Sequence, residues 1–112
     1  MKNLLKVIQY DMLDFIEGED ESEADYTSED VKLCITSLLE FMSIMESEAQ
    51  TVASAKDHVK TLVLSLNSLN GQCGDCLIET DQREEICEFI QKVMSAANVA
   101  FSGDITEEWR EW

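Results

Sequence analysis

Cys73 and Cys76 form a C-x-x-C pair. Two thiols at this spacing can supply half of a zinc site or cycle through a disulfide. A complete zinc site needs two more ligands, and the other cysteines, Cys34 and Cys87, fall at the edges of apolar helical stripes, where cysteine is usually a small core residue. No βαβ pattern accompanies the pair, as a thioredoxin-like site would require. The pattern therefore favours a structural role, with metal binding and redox chemistry as alternatives.

His58 is the single histidine, so any Cys–His or Ser–His catalytic pair would have to include it. It lies beside the apolar stripe of a predicted helix, which favours a partly exposed histidine without a chemical role, and nothing near it in sequence marks a nucleophile. The sequence has no Gly-rich phosphate loop, no H-E-x-x-H and no EF-hand pattern. These observations predict a protein that is not an enzyme and holds no cofactor.

Carboxylates dominate the composition, since 24 Asp and Glu face 8 Lys and Arg for a formal net charge of -16. Such a charge repels nucleic-acid phosphates and anionic membranes and attracts basic proteins. The plain alternative is that the acids serve solubility alone. The candidate partner-binding acids are Glu19, Asp20, Glu21, Glu23 and Asp25 in a predicted acidic loop over residues 17–30, and Glu79, Asp81, Glu84 and Glu85 around a predicted helix start.

Trp109 and Trp112 are three residues apart and so share one face of a helical turn. Tryptophan is enriched at interface hot spots, which makes the pair a candidate for partner binding. The alternative is favoured, in which both rings fold back over one end of the bundle, because an exposed pair would promote aggregation.

Helical periodicity positions these side chains. Apolar stripes predict helices over residues 3–16, 28–47, 48–69 and from about 80 to 101, with Ser28 capping the second and Gly103 ending the fourth. The stripes include Leu39 and Val52, whereas Leu33 and Ile44 face away and predict a second core layer or a homodimer contact. The expected fold is all-α: one domain over residues 1–112, an antiparallel bundle of four main helices plus a short C-terminal helical turn capped by Thr106.

The chain contains no apolar run long enough to span a membrane and no signal-peptide pattern. Four cysteines without a secretion signal indicate reduced thiols, and we therefore expect a cytoplasmic protein.

Three segments of the C-terminal half resemble small acidic bacterial proteins of the kind that act as immunity proteins in toxin secretion systems. They are residues 66–70 (LNSLN), 77–85 (LIETDQREE) and 107–112 (EEWREW). The similarity covers roughly residues 60–112. It implies a bacterial, cytoplasmic, non-catalytic inhibitor, and it assigns no role to the C-x-x-C pair.

The leading hypothesis is an immunity-type protein that neutralises a basic toxin by occluding its cleft, with carboxylates pairing to cationic side chains. One alternative is a nucleic-acid mimic that opposes a defence system and presents carboxylates at phosphate spacing. Another is a thiol-based metal or redox protein using Cys73 and Cys76. A structural role as a homodimer is the fourth possibility.

Overall fold

The computed structural model describes residues 2–18, 27–74, 77–99 and 105–112, without the side chains of Lys2 and residues 14–18. This part of the chain forms four α-helices, which are α1 (Lys2–Gly18), α2 (Ser28–Ser47), α3 (Val52–Gln72) and α4 (Thr80–Ala96). The described residues include no strand. The expected all-α bundle is confirmed. None of the described helices is both long enough and apolar enough to cross a membrane.

The core is built from the apolar stripes that the periodicity predicts. Phe89 of α4, Leu38 of α2 and Leu66 of α3 are fully enclosed, and Ile8 and Met12 bring α1 into the same cluster. Removing such side chains from water is the main source of the bundle's stability. α1 packs on α2 and α4, α2 packs on α3, and a smaller contact joins α2 to α4.

The starts of α2 and α3 are fixed by local hydrogen bonds. The Thr51 hydroxyl accepts from the Ser54 amide at 3.1 Å, and the Thr51 amide donates to Ser54 Oγ at 2.9 Å. At α2 the capping residue is Thr27, one position before the predicted Ser28, and its amide donates to Asp30 Oδ2 at 3.0 Å. Amide groups at the start of a helix lack helical partners, and the pairing of Thr27 with Asp30 supplies one. This pairing explains why the cap is Thr27 and not Ser28.

Three other helix boundaries differ from the sequence prediction. α3 begins at Val52, later than predicted, and continues past Asn70 and Gly71 to Gln72. A Cβ at Gly71 would meet nothing within 4 Å, so packing does not require glycine at this position. α4 ends at Ala96, well before residue 101, and Asn98 follows with a left-handed φ of 61°, a conformation that ends helices.

Apolar side chains of α2 and α3 are exposed to solvent at Leu33, Leu39, Ile44 and Val52. Leu39 and Val52, predicted on buried stripes, are exposed by 41% and 46%. Val52 is the first residue of α3, and Leu39 lies at the edge of the α2 stripe. Leu33 and Ile44 are exposed by 55% and 42%, so neither belongs to a second core layer formed by the described residues.

Candidate interaction surface

The start of α4 carries the second predicted group of acids, and the structure places most of them in solvent. Glu79 immediately precedes the helix, Asp81 is in its first turn, and Glu84 follows, all three exposed. Negative charge at a helix N-terminus is favoured by the unpaired amides and the helix dipole. The helix start therefore favours this concentration of carboxylates, among which Arg83 is the one basic residue between Glu79 and Glu88.

Glu85 differs from these acids because it is half-buried at the contact between α4 and α1. Its carboxyl forms a hydrogen bond with that of Asp11, while its Oε2 atom is buried without a partner. Burial, the Asp11 hydrogen bond and the charges of Asp11, Asp81 and Glu88 raise the pKa of Glu85 from 4.5 to about 7. Between about pH 4.5 and about pH 7 the Glu85 carboxyl therefore keeps a proton that an ordinary glutamate has lost.

We call these residues the α4 acidic surface: Asp11, Glu79, Asp81, Glu84, Glu85 and Glu88. Sequence reasoning missed Asp11 and Glu88. The position of Asp11 between the core residues Ile8 and Met12 was the available signal, since it places a carboxyl beside the packed face of α1. Glu88 pairs with Lys92 one turn later at 3.4 Å, a solvent-exposed ion pair of little stability.

The five loop acids predicted to bind a partner, from Glu19 to Asp25, lie outside the described residues. Their role stays a prediction, and the described part of the candidate surface is that of α4 and α1.

The two tryptophans are half-buried and pack against the core. Asn67 of α3 holds their segment in place: its Nδ2 donates to the Trp109 carbonyl at 2.8 Å, and its Oδ1 accepts from the Glu111 amide at 3.0 Å. Arg110 stacks over the Trp112 ring, with Cζ 5.5 Å from the centroid. The segment thus covers an edge of the bundle. The sequence signal for Asn67 was an asparagine directly after the stripe residue Leu66 inside a predicted helix, where asparagine is unfavourable.

The tryptophan segment and Glu85 occupy different sides of α4. Amides of Trp109 and Arg110 bond to the Thr106 carbonyl and form the expected C-terminal turn. The Arg110 guanidinium contacts Cys87 Sγ at 3.3 Å. Cys87 follows Glu85 by two positions, or about 200° around the helix. The structure therefore places the tryptophan segment on a different side of α4 from Glu85.

The structure describes one cysteine of the C-x-x-C pair. Cys73 is buried at the end of α3 and lies near the thiol of Cys34 of α2. Burial, with a smaller contribution from Cys73, raises the pKa of the Cys34 thiol to about 12, so this thiol stays protonated and unreactive. Cys76 lies outside the described residues. Among the residues described, no three His, Cys, Asp or Glu side chains are grouped to hold a metal ion.

Comparison with protein-family models, with curated proteins and with solved structures finds no match to this chain.

Proposed function

We propose that the protein is a non-catalytic inhibitor that binds a basic partner protein through its α4 acidic surface. The observation that carries the proposal is the crowding of carboxyls around Glu85, where burial, the Asp11 carboxyl and the charges of Asp81 and Glu88 raise the pKa of Glu85. A cluster of like charges costs folding free energy, and such a cost is typical of a surface selected for binding.

A cationic partner would stabilise this surface in two ways. A guanidinium group placed against Glu85 and Asp81 can bond the exposed Asp81 carboxylate and offset the repulsion between Asp81 and Glu85. The same contact lowers the affinity of Glu85 for its proton, so binding releases that proton to solvent. Affinity should therefore increase as the pH rises toward and past 7, where the proton is already lost.

The partner class that best fits this chemistry is a bacterial toxin with a basic nucleic-acid cleft. Carboxylates at the start of α4 would bind the Lys and Arg side chains that otherwise hold phosphates, and the exposed N-terminal end of the helix could enter the cleft. This is the function that the resemblance to immunity proteins implies, and it would act in the bacterial cytoplasm.

The nucleic-acid mimic receives less support from the described residues. Its acids should follow a helix in long rows at phosphate spacing. Asp81, Glu85 and Glu88 do share one side of α4, but Lys92 interrupts the row one turn later. The thiol hypothesis also receives less support. Cys73 is buried near Cys34 and is not exposed to a ligand in solution.

Growth rescue tests the proposal. The product of the gene adjacent to the one encoding this chain would be expressed in a heterologous bacterium, alone and together with this protein. We expect growth arrest alone and growth with the wild-type protein, and loss of rescue when Asp81→Asn, Glu84→Gln and Glu85→Gln are combined. The control variant neutralises the exposed acids Glu46 and Glu48, which lie beside the C-terminal end of α4. This variant should still rescue growth.

Equal rescue by the α4 variant and by wild type would refute the surface assignment. Absence of any binding between the two purified proteins would refute the inhibitor function.

A further inference from the structure

A second surface runs along the outside of the α2–α3 contact. It consists of two adjoining hollows of about 90 and 430 Å³. Ser37, Glu40 and Ser65 line both, so the hollows form one continuous groove, which we call the α2–α3 groove. Ile44 borders one end and Leu33 the other, about 11 residues apart on α2, which gives a length of about 16 Å.

The chemistry of this groove differs from that of the α4 acidic surface. Leu33 and Ile44 are exposed by 55% and 42%, so each end offers apolar area to a partner. Between them Glu40 is the one acid in the described lining, in a chain with 24 acids. Low charge density around exposed aliphatic side chains is typical of the centre of an interface. The small hydroxyl side chains between the ends are Thr36, Ser37, Thr61, Ser65 and Ser68.

We propose that the α2–α3 groove binds an amphipathic helix of a basic partner, with apolar side chains on Leu33 and Ile44 and a Lys or Arg opposite Glu40. A groove between two packed helices accepts the ridge of a third helix, and a length of about 16 Å accommodates three turns. The small hydroxyl residues allow that helix to approach closely.

The charges of the chain favour the helix of a basic partner over a second copy of the chain as the occupant of the groove. Two copies would each carry a formal charge of -16, and a symmetric contact through the groove would place the two Glu40 carboxylates near one another. A cation-bearing helix would instead be attracted over a long range by the protein's net charge and locally by Glu40. The carboxylate lies near the middle of the groove, and His58 of α3 lines the same hollow on the other wall.

The groove does not depend on the proposed function, because it uses different helices and a different kind of contact from the α4 acidic surface. Loss of binding at α4 would leave the groove unchanged, and the reverse also holds. A partner could engage either surface alone.

The test uses a capped Ala/Gln peptide helix of about 15 residues with two Leu about 11 residues apart and one Arg about 7 residues from one Leu and about 4 from the other, so that all three side chains lie on one face. Binding to the full-length protein would be measured by fluorescence anisotropy. We expect Ile44→Asp to abolish binding and Glu40→Gln to weaken it about tenfold, as for the loss of one partly desolvated charge pair. Leu39→Asp is the matched control, since Leu39 is exposed by 41% on the same helix but lies outside the groove, and this variant should bind normally.

A charge exchange separates local pairing from general attraction. Glu40→Lys should lose the Arg peptide and gain the peptide that carries Glu in its place, although the protein's net charge opposes that peptide. Far-UV circular dichroism of every variant would confirm that the fold is retained. Failure of the peptide to bind wild type, equal binding to Ile44→Asp, or a wild-type homodimer that Ile44→Asp dissociates would each overturn the proposal.

Discussion

Replacing Glu85 by glutamine should stabilise the folded protein, and the gain should depend on pH. At about pH 8 the wild-type side chain is ionised, with one buried oxygen unpartnered and the Asp11 carboxyl beside it. Glutamine of nearly the same shape removes this charge and supplies an amide N–H that can donate to Asp11. At about pH 5 the wild-type side chain is neutral, so the substitution should change stability little.

The sign follows from proton linkage. The pKa of Glu85 is raised from 4.5 to about 7 in the folded protein, so between these values the folded state holds a proton that the unfolded state has released. Wild-type stability therefore falls as the pH rises through this window. At about 1.4 kcal/mol per pKa unit the upper limit is about 3.5 kcal/mol. Solvent reaches the half-buried pair and screens it, which reduces the expected gain at about pH 8 to about 1–2 kcal/mol.

Urea unfolding followed by far-UV circular dichroism, at about pH 5 and about pH 8, measures both values. The matched control is Glu84→Gln, which removes an equal charge from the neighbouring exposed position and should change stability by less than about 0.5 kcal/mol. This control corrects for the general benefit of lowering a net charge of -16. A Glu85→Gln variant that is destabilised at the higher pH, or that gains equally at both, would refute the reasoning.

Two further substitutions test how the scaffold is held together. Asn67→Ala removes both hydrogen bonds to the C-terminal segment and should lower the free energy of unfolding by about 1–2 kcal/mol. It should also shift tryptophan emission to the red. An unchanged emission maximum would mean that Trp109 and its neighbours stay packed without the amide. Phe89→Ala empties the centre of the core and should cost about 3–5 kcal/mol in urea unfolding, against less than about 0.5 for the exposed Leu64→Ala; similar costs for the two would contradict the core assignment.

The four helices could be read from the sequence because each buried stripe repeats with helical spacing. Phe89 and Leu66 fall on such stripes and are enclosed as expected. The helix ends were less predictable, because they depend on one local hydrogen bond or one dihedral angle. Thr27 rather than Ser28 precedes α2, and Asn98 adopts a left-handed conformation that no periodicity indicates.

The candidate sites required knowledge of which helices pack together. The sequence placed Glu85 in a run of acids that were expected to be exposed. Its neighbour Asp11 is far away in sequence, and their proximity follows only from the contact between α1 and α4. The proximity of Cys34 and Cys73 is likewise a product of packing between α2 and α3. Leu33 and Ile44 could be placed on the outer side of α2 from spacing, whereas the groove beside them depends on the position of α3.

The central claim is that the acids at the start of α4 bind a cationic partner. Its most direct test is the association rate of this protein with the purified product of the adjacent gene, followed by stopped flow from low to high salt, for wild type and for the combined Asp81→Asn, Glu84→Gln and Glu85→Gln variant. The account predicts a wild-type rate that falls at least about tenfold as salt is added and a slower, flatter response for the variant. Rates that are independent of salt, or identical for the two proteins, would contradict it.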